Sequence, residues 1–207
     1  DALKEVQEWN IVSSTEALSG YHIKSMPPAR DISRILAELI KCHGQPSLII
    51  NMIGVVGKPN VEWCETHKQE TEYGNTLLPV DLAFAAFKLS VPFIHLSTGC
   101  IFNDDATVGI TFKTSDTPNF DKSYYSHSKL QAEKELMTLH NEYPMSSIEI
   151  HRIRIPFMTW SDPRNLIDKI IKYDNLVEYP NSMTCLEDYA KFVVERVEAI
   201  LKHTKQS

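Results

Sequence analysis

Three times along the chain a helix-patterned stretch is followed by a short apolar run of strand length, and this alternation limits the fold more than any other feature. Residues 31–42 place Ile32, Ile35, Leu36, Leu39 and Ile40 at i, i+3, i+4, i+7 and i+8, the apolar stripe of an amphipathic helix. Gly44 supplies a stop. The run "SLIINMIG" that follows has the composition of a strand buried on both faces. The order then repeats: polar "NVEWCETHKQETEYGN" leads into helix-like "LLPVDLAFAAFKLS" and strand-like "VPFIHLST". A third cycle runs from a helix around Tyr125, through the break "NEYP", into "SSIEIHRIRIP". Strands separated by helices pair in parallel through crossovers, so the expected fold is α/β, a Rossmann-like doubly wound parallel sheet. Beyond Pro156 the pattern predicts a short helix at 165–173, a small strand at "NLVEYP" and a last helix from 186 to about 202.

Length and charge narrow the function classes. A chain of 207 residues is expected to form a single domain around one core, here residues 1–207. Its net charge of −6 gives no broad basic field, which disfavours duplex nucleic acid and anionic membrane surfaces and leaves a small molecule as the expected partner. No apolar run approaches the ~20 residues of a bilayer span, and "DALKEVQEWN" is too charged for a signal peptide, so the expected location is the cytoplasm. Cys42, Cys64, Cys100 and Cys185 are widely spaced without a C-x-x-C pair, so neither a metal site nor a disulfide framework is expected. The first residue is Asp rather than Met, which is expected of a fragment or a processed form.

Ligands of an open parallel sheet bind outside the carboxyl ends of its strands. That rule selects "NMIGVVGKPN", "STGCIF", the start of the Tyr125 helix and "RIPFMTWSDPRN". Taken alone, "STGCIF" reads equally well as a structural loop of small residues, and Tyr125 with Lys129 as an ordinary i, i+4 surface pair. Trp63, Cys64 and His67 read as packing and surface residues. In chain order, however, a strand ending in Ser97-Thr98 followed by a helix bearing Tyr-x-x-x-Lys is a far more specific combination.

Here the sequence resembles the extended short-chain dehydrogenase/reductases, and within them the nucleotide-rhamnose synthases that combine epimerase and 4-reductase activities, similar to dTDP-4-dehydrorhamnose reductases. The resemblance is carried by "GVVGKPNVEWCETHKQET", "TGCIF", "DTPNFDKSYYSHSKLQAEKEL", "RIRIPF", "DPRNLIDKIIKY" and "PNSMTCLED", covering most of residues 54–188. It implies a nucleoside-diphosphate-4-keto-6-deoxyglucose substrate, a product of L-rhamnose configuration, NADP (NADPH) or NAD as cofactor, and a possible homodimer. It also implies site roles. Tyr125 would be the general acid of reduction, with Lys129 drawing its pKa toward working pH and holding the nicotinamide ribose. Thr98 would bind the same carbonyl oxygen. Cys100 would be the base of epimerisation and Lys169 the acid on the opposite face. Asn51, Gly54, Asn75 and Ile155, with Lys129, would line the cofactor site; Asn119, Arg154, Arg164 and Asn165 would bind substrate, the arginines through its diphosphate. Each also has a plain structural reading: Cys100 a small buried residue, Lys169 a solvated helix lysine, either arginine a carboxylate's partner.

The sequence departs from the family in two places. It has no glycine-rich turn to seat a pyrophosphate at a helix start: its glycines are Gly20, Gly44, Gly54, Gly57, Gly74, Gly99 and Gly109. The substrate lobe is truncated, leaving residues 156–207 as a partial substrate-binding region. These departures fit a fragment of a complete enzyme, a diverged protein that binds nucleotide differently, or a non-catalytic binding or regulatory module resembling the reductase-like partner of methionine adenosyltransferase.

Overall fold

The computed structural model describes residues 29–103, 111–144, 147–163, 165–176 and 181–204. Helix α1, Ala29–His43, ends at Gly44, whose N–H closes on the Ile40 carbonyl at 2.8 Å and whose φ of 83° is the left-handed conformation that stops a helix. Three strands follow in the expected places: β1, Ile49–Asn51; β2, Phe93–Thr98; β3, Ile148–Ile153. They pair in parallel in the order β1-β2-β3, with Asn51 opposite His95 and Thr98 opposite Ile153.

Helices cover both faces of this sheet, which is why its strands read as continuous apolar runs. On one face Phe93 packs with Ile32 of α1, Leu78, Leu82, Ala83 and Ala86 of α4 (Leu78–Lys88), and Leu136 and Leu139 of α5 (Tyr124–Glu142). On the other, Ile94 packs against Val193, Val197 and Ile200 of the last helix, α7, Leu186–Thr204. Each fully buried Leu, Ile or Phe contributes ~1.5–3 kcal/mol through its removal from water. The doubly covered sheet therefore holds the strand ends rigidly where the polar loops begin.

The segment before α4 was expected only as a polar approach to that helix. It is instead helical almost throughout: α2 (Trp63–Thr66), α3 (Lys68–Glu72) and a π-helical turn, Tyr73–Leu77, running directly into α4. Its buried residues are Cys64, Thr71, Gly74, Asn75 and Thr76, small or polar side chains that no hydrophobic period would mark. They are buried because they bond backbone, as Thr71 does to the His67 carbonyl and Thr76 to that of Ser128.

After β3, β4 (Pro156–Phe157) pairs in parallel with β5 (Thr184–Cys185), and α6 (Leu166–Ile170) lies between them in the chain. The helix expected at 165–173 is shorter because Asn165 is extended at its start and the chain turns after Ile170. Of the strand expected at "NLVEYP", residues 175–176 are not strand and 177–180 lie outside the described residues, as does the amino-terminal segment. Among the described residues no helix is long and apolar enough to cross a membrane.

Candidate active site

Helix α5 breaks the usual burial rule. Its inward stripe carries Tyr125, Ser126, Ser128, Lys129 and Glu133, all buried, among apolar Leu130, Ala132 and Leu136. Buried polar groups persist only where partners satisfy them. Here the partners come from the carboxyl end of β2 and the turn after it, from Asn75 of the π-helical turn and from Arg152 of β3.

Thr98 ends β2. Its hydroxyl accepts the Cys100 N–H at 3.1 Å, which starts a single 3-10 turn over Gly99–Ile101, and it lies near enough to the Tyr125 phenol to lower that group's pKa. The Cys100 carbonyl accepts from Ser126 Oγ at 2.7 Å, tying that turn to the first turn of α5. The helix start is fixed from two sides, since Ser123 Oγ caps the Ser126 N–H and Glu65 of α2 accepts the Tyr124 N–H at 2.6 Å. Tyr125 then packs in a small cluster with Val55 and Cys64, against which Trp63 and Cys100 lie. Thr98, Cys100 and Tyr125 are thus brought together.

Lys129 lies one turn further along, 4 % exposed, with Nζ 3.4 Å from the Leu96 carbonyl. A Cβ on Gly54 would stand 3.1 Å from that Nζ, so the loop after β1 passes close to the ammonium, and a side chain at 54 would make the lysine give by a few tenths of an ångström. Asn75, projecting from the π-helical turn, holds this loop by accepting the Val55 N–H at 2.7 Å and donating to the Val55 carbonyl at 2.9 Å, with a further bond to Ser128 Oγ at 3.1 Å. Asn51 accepts the Ile53 N–H at 3.0 Å and donates through Nδ2 to His95 Nδ1, also at 3.0 Å. His95 Nε2 has no partner among the described residues.

Burial dominates the electrostatics. It pushes the Tyr125 phenol up to about 12, with Thr98 and Arg154 pulling down and Cys100 and Cys64 pushing up. Burial thus outweighs the groups that lower this phenol, and the Lys129 ammonium is directed at the Leu96 carbonyl. Burial also lowers Lys129 itself to about 8, against the opposing pull of Glu133, and lowers His95 to about 3, with Lys129 adding to the effect. Tyr125 is accordingly a loaded phenol at neutral pH, and His95 a neutral imidazole.

Other expected residues sit differently. Asn119 is exposed and returns both its amide groups to the Asn103 backbone, at 2.9 and 2.8 Å. Asn165 is buried and holds the Met158 N–H and the Met158 and Trp160 carbonyls. Asn165 thus commits both amide hydrogens and one lone pair to the backbone, whereas Asn119, with one bond to each amide group, keeps a donor and an acceptor position. Arg154 does not stand free for a diphosphate, because its Nη1 lies 2.8 Å from the Cys100 sulfur and its Nε 3.1 Å from Asn181 Oδ1. Ile155 has a φ of 40°, an uncommon conformation for a β-branched residue, at the step between β3 and β4. Lys169 is exposed on α6, and no side-chain contact joins it to Cys100. Arg164 lies outside the described residues. Unforeseen from the sequence is the carboxylate of Glu133, 4 % exposed, which accepts Nε and Nη2 of Arg152 at 3.0 and 2.7 Å and the Ser97 hydroxyl. Its signal was position alone, one turn beyond Lys129 on the same helix face.

A parallel sheet with a Thr, a Tyr and a Lys at one strand end defines a class of nicotinamide-dependent fold, and the chain belongs to the NAD dependent epimerase/dehydratase family, which residues 29–155 match. It is 38 % identical over 156 residues to a bifunctional dTDP-4-dehydrorhamnose 3,5-epimerase/dTDP-4-dehydrorhamnose reductase of Arabidopsis thaliana, an alignment covering 73 % of this chain and 50 % of that protein. A trifunctional UDP-glucose 4,6-dehydratase/UDP-4-keto-6-deoxy-D-glucose 3,5-epimerase/UDP-4-keto-L-rhamnose-reductase of the same plant is 37 % identical over 163 residues, 76 % of this chain and 24 % of that one. The chain therefore spans half or less of these curated relatives. Among solved structures, the L780 UDP-rhamnose synthase of Acanthamoeba polyphaga mimivirus superposes with a TM-score of 0.71 at 26 % identity, covering 84 % of this chain and 61 % of that one. A dTDP-4-dehydrorhamnose reductase of Bacillus anthracis, in complex with NADP, shares the fold with a TM-score of 0.72 at 16 % identity, covering 95 % and 65 %.

One end of a nicotinamide cofactor fits these residues. Met52, Ile53 and Val56 are exposed at the carboxyl end of β1, an apolar shelf bordering Gly54 and the Lys129 ammonium. Exposed apolar side chains grouped beside a buried cation suit a flat ring carried on a ribose. Asn51 and Asn75, committed to inner bonds, shape this shelf from behind.

Proposed function

We propose that this chain carries the catalytic centre of a nucleotide-sugar 3,5-epimerase/4-reductase acting on UDP- or dTDP-4-keto-6-deoxyglucose to give the L-rhamnose nucleotide. The observation that carries the reading is the gathering of Thr98, Tyr125 and Cys100 at the carboxyl end of β2, with Cys100 packed against the cluster that holds Tyr125. Two hydroxyls suit one keto oxygen, and a thiol next to them suits the carbon alongside. The activities named for the plant relatives support the same reading, including its pairing of two reactions.

Epimerisation exchanges protons beside the keto group. Cys100 takes the proton from that carbon: the C–H bond breaks, S–H forms, the released pair makes C=C, and the carbonyl π pair moves to oxygen, where Thr98 and Tyr125 donate to the enolate. Return of a proton from the opposite face inverts the carbon, and Lys169 takes that role on the resemblance. The same cycle serves the carbon on the other side of the ketone. For reduction, the bound nicotinamide, NADPH or NADH, supplies a hydride. Tyr125 gives its proton to the oxygen, a role for which a phenol held protonated by burial is ready. Lys129 binds the ribose at the Gly54 shelf. The substrate diphosphate is assigned to Arg164, whose guanidinium fork suits phosphate oxygens.

The remaining assignments belong to the same proposal. The chain acts as one NAD(P)-binding domain, with residues 156–207 contributing part of a substrate-binding region, in keeping with the exposed Trp160 and Met183 there. It works in the cytoplasm, as a homodimer. The test is NADPH consumption with each 4-keto-6-deoxy sugar nucleotide. Tyr125→Phe is expected to slow it by roughly 10²–10⁴-fold. An unchanged rate refutes the assigned acid, and a wild-type chain that binds NADPH without consuming it is a binding module.

A further inference from the structure

Three stretches far apart in sequence, "TGCIF", "RIRIPF" and "PNSMT", meet at one side chain. The Arg154 guanidinium places Nη1 2.8 Å from the Cys100 sulfur. Its Nε donates to Asn181 Oδ1 at 3.1 Å. Its backbone is clamped on both sides by Thr184: the Arg154 N–H donates to Thr184 Oγ1 at 3.0 Å, and the Arg154 carbonyl accepts the Thr184 N–H at 2.8 Å. The side chain then lies flat on Gly99, where a Cβ would stand 3.2 Å from Arg154 Cδ and 3.3 Å from its Cβ. A flexible arginine ordinarily pays rotamer entropy for such a pose, and here Cys100, Asn181 and Gly99 hold the side chain while Thr184 holds its backbone.

A guanidinium pinned against sulfur suggests a different partner from the diphosphate expected of it. Resting on the epimerase reading above, we propose that Arg154 is the counter-cation of Cys100, a positioning residue that stabilises the sulfur anion needed for proton abstraction, and that Asn181 and Thr184 exist to aim it. The ionisable groups that act on Tyr125 in this cluster are Cys100, Cys64 and Arg154, and of these the guanidinium is the one that carries positive charge. The thiolate is the species that takes protons and attacks carbon, and adjacent cations favour it. On this proposal Arg154 acts through Cys100, so its removal harms the chemistry of Cys100 rather than the affinity for the nucleotide.

The test reads Cys100 directly. In the full chain, without substrate or cofactor, iodoacetamide alkylates the sulfur as S–C forms and iodide leaves, and mass spectrometry of the Cys100 peptide separates it from exposed Cys42. At neutral pH, Arg154→Met is expected to slow this alkylation by roughly tenfold or more, with Arg154→Lys restoring most of it. Asn181→Ala, an exposed and mild change, is expected to slow it several-fold. Loosening of the fold alone would expose the thiol and speed the reaction, so unchanged or faster labelling in Arg154→Met overturns the proposal. With the sugar nucleotide in heavy water, Arg154→Met is expected to lose the rate of deuterium incorporation at saturation. A raised KM with an unchanged limiting rate would return Arg154 to the diphosphate and likewise overturn the proposal. If Cys100→Ala still incorporates deuterium, the epimerase reading falls, and the alkylation result still decides whether Arg154 and Cys100 are coupled.

Discussion

Replacing Glu133 by Gln keeps the shape of a buried side chain and removes its charge. The carboxylate accepts Nε and Nη2 of Arg152 at 3.0 and 2.7 Å, and the Ser97 hydroxyl as well. A Gln amide offers one oxygen for those three donors and turns its own N–H group toward a guanidinium or a hydroxyl that also donates. Breaking a buried pair from one side costs about 3–5 kcal/mol. The Arg152 side chain is 25 % exposed, so water recovers part of that loss, and about 2–3 kcal/mol is the expected cost. For a chain of this size each kcal/mol lowers the melting temperature by about 2–4 °C, giving a drop of roughly 4–12 °C in a far-ultraviolet circular dichroism melt. A functional effect accompanies it. Glu133 is the group that raises Lys129 against burial, so its loss moves the lysine below its present value of about 8 and weakens the cation offered to a nicotinamide ribose. The reasoning is refuted if Glu133→Gln melts with the wild type and a double-mutant cycle with Arg152→Met shows no coupling.

Acid should find His95. Its folded-state pKa of about 3 lies below the ordinary value of 6.5, so the unfolded chain binds a proton through that window while the folded chain does not, and stability falls as pH drops by up to ~1.4 kcal/mol per unit. His95→Gln is expected to melt with a shallower acid dependence than wild type between pH 6.5 and 3; equal slopes would show that His95 does not contribute. Gly57 has a φ of 69°, and a Cβ there would stand 2.5 Å from Trp63 Cβ. Gly57→Ala should cost about 2–5 kcal/mol from left-handed strain plus overpacking, and a melting temperature within error of wild type would refute the geometry of that loop.

Some of the site was legible because its chemistry is local. Tyr125 and Lys129 share a helix face through spacing alone, and Thr98 ends an apolar run where a parallel sheet presents its ligands. Helix α5 also marks itself by burying Ser128, Lys129 and Glu133 where apolar residues belong, a local rule broken at a functional site. Asn119 and Asn165 had suitable chemistry in suitable loops, yet residue type does not say whether an amide faces a ligand or its own backbone. Arg154 was expected at the substrate diphosphate; its contacts with Cys100 and Asn181, 54 and 27 positions away, could not be read from the sequence.

The order of helices and strands, the parallel pairing and the strand ends that gather function follow from the sequence, since hydrophobic period and chain connectivity act over a few residues at a time. Which polar groups touch was decided only by folding. The hold of Arg152 on Glu133, the approach of Gly54 to Lys129 and the elevation of the Tyr125 phenol all arise from burial and from contacts between distant segments. Desolvation and charge coupling depend on distance in space, and distance along the chain does not report it.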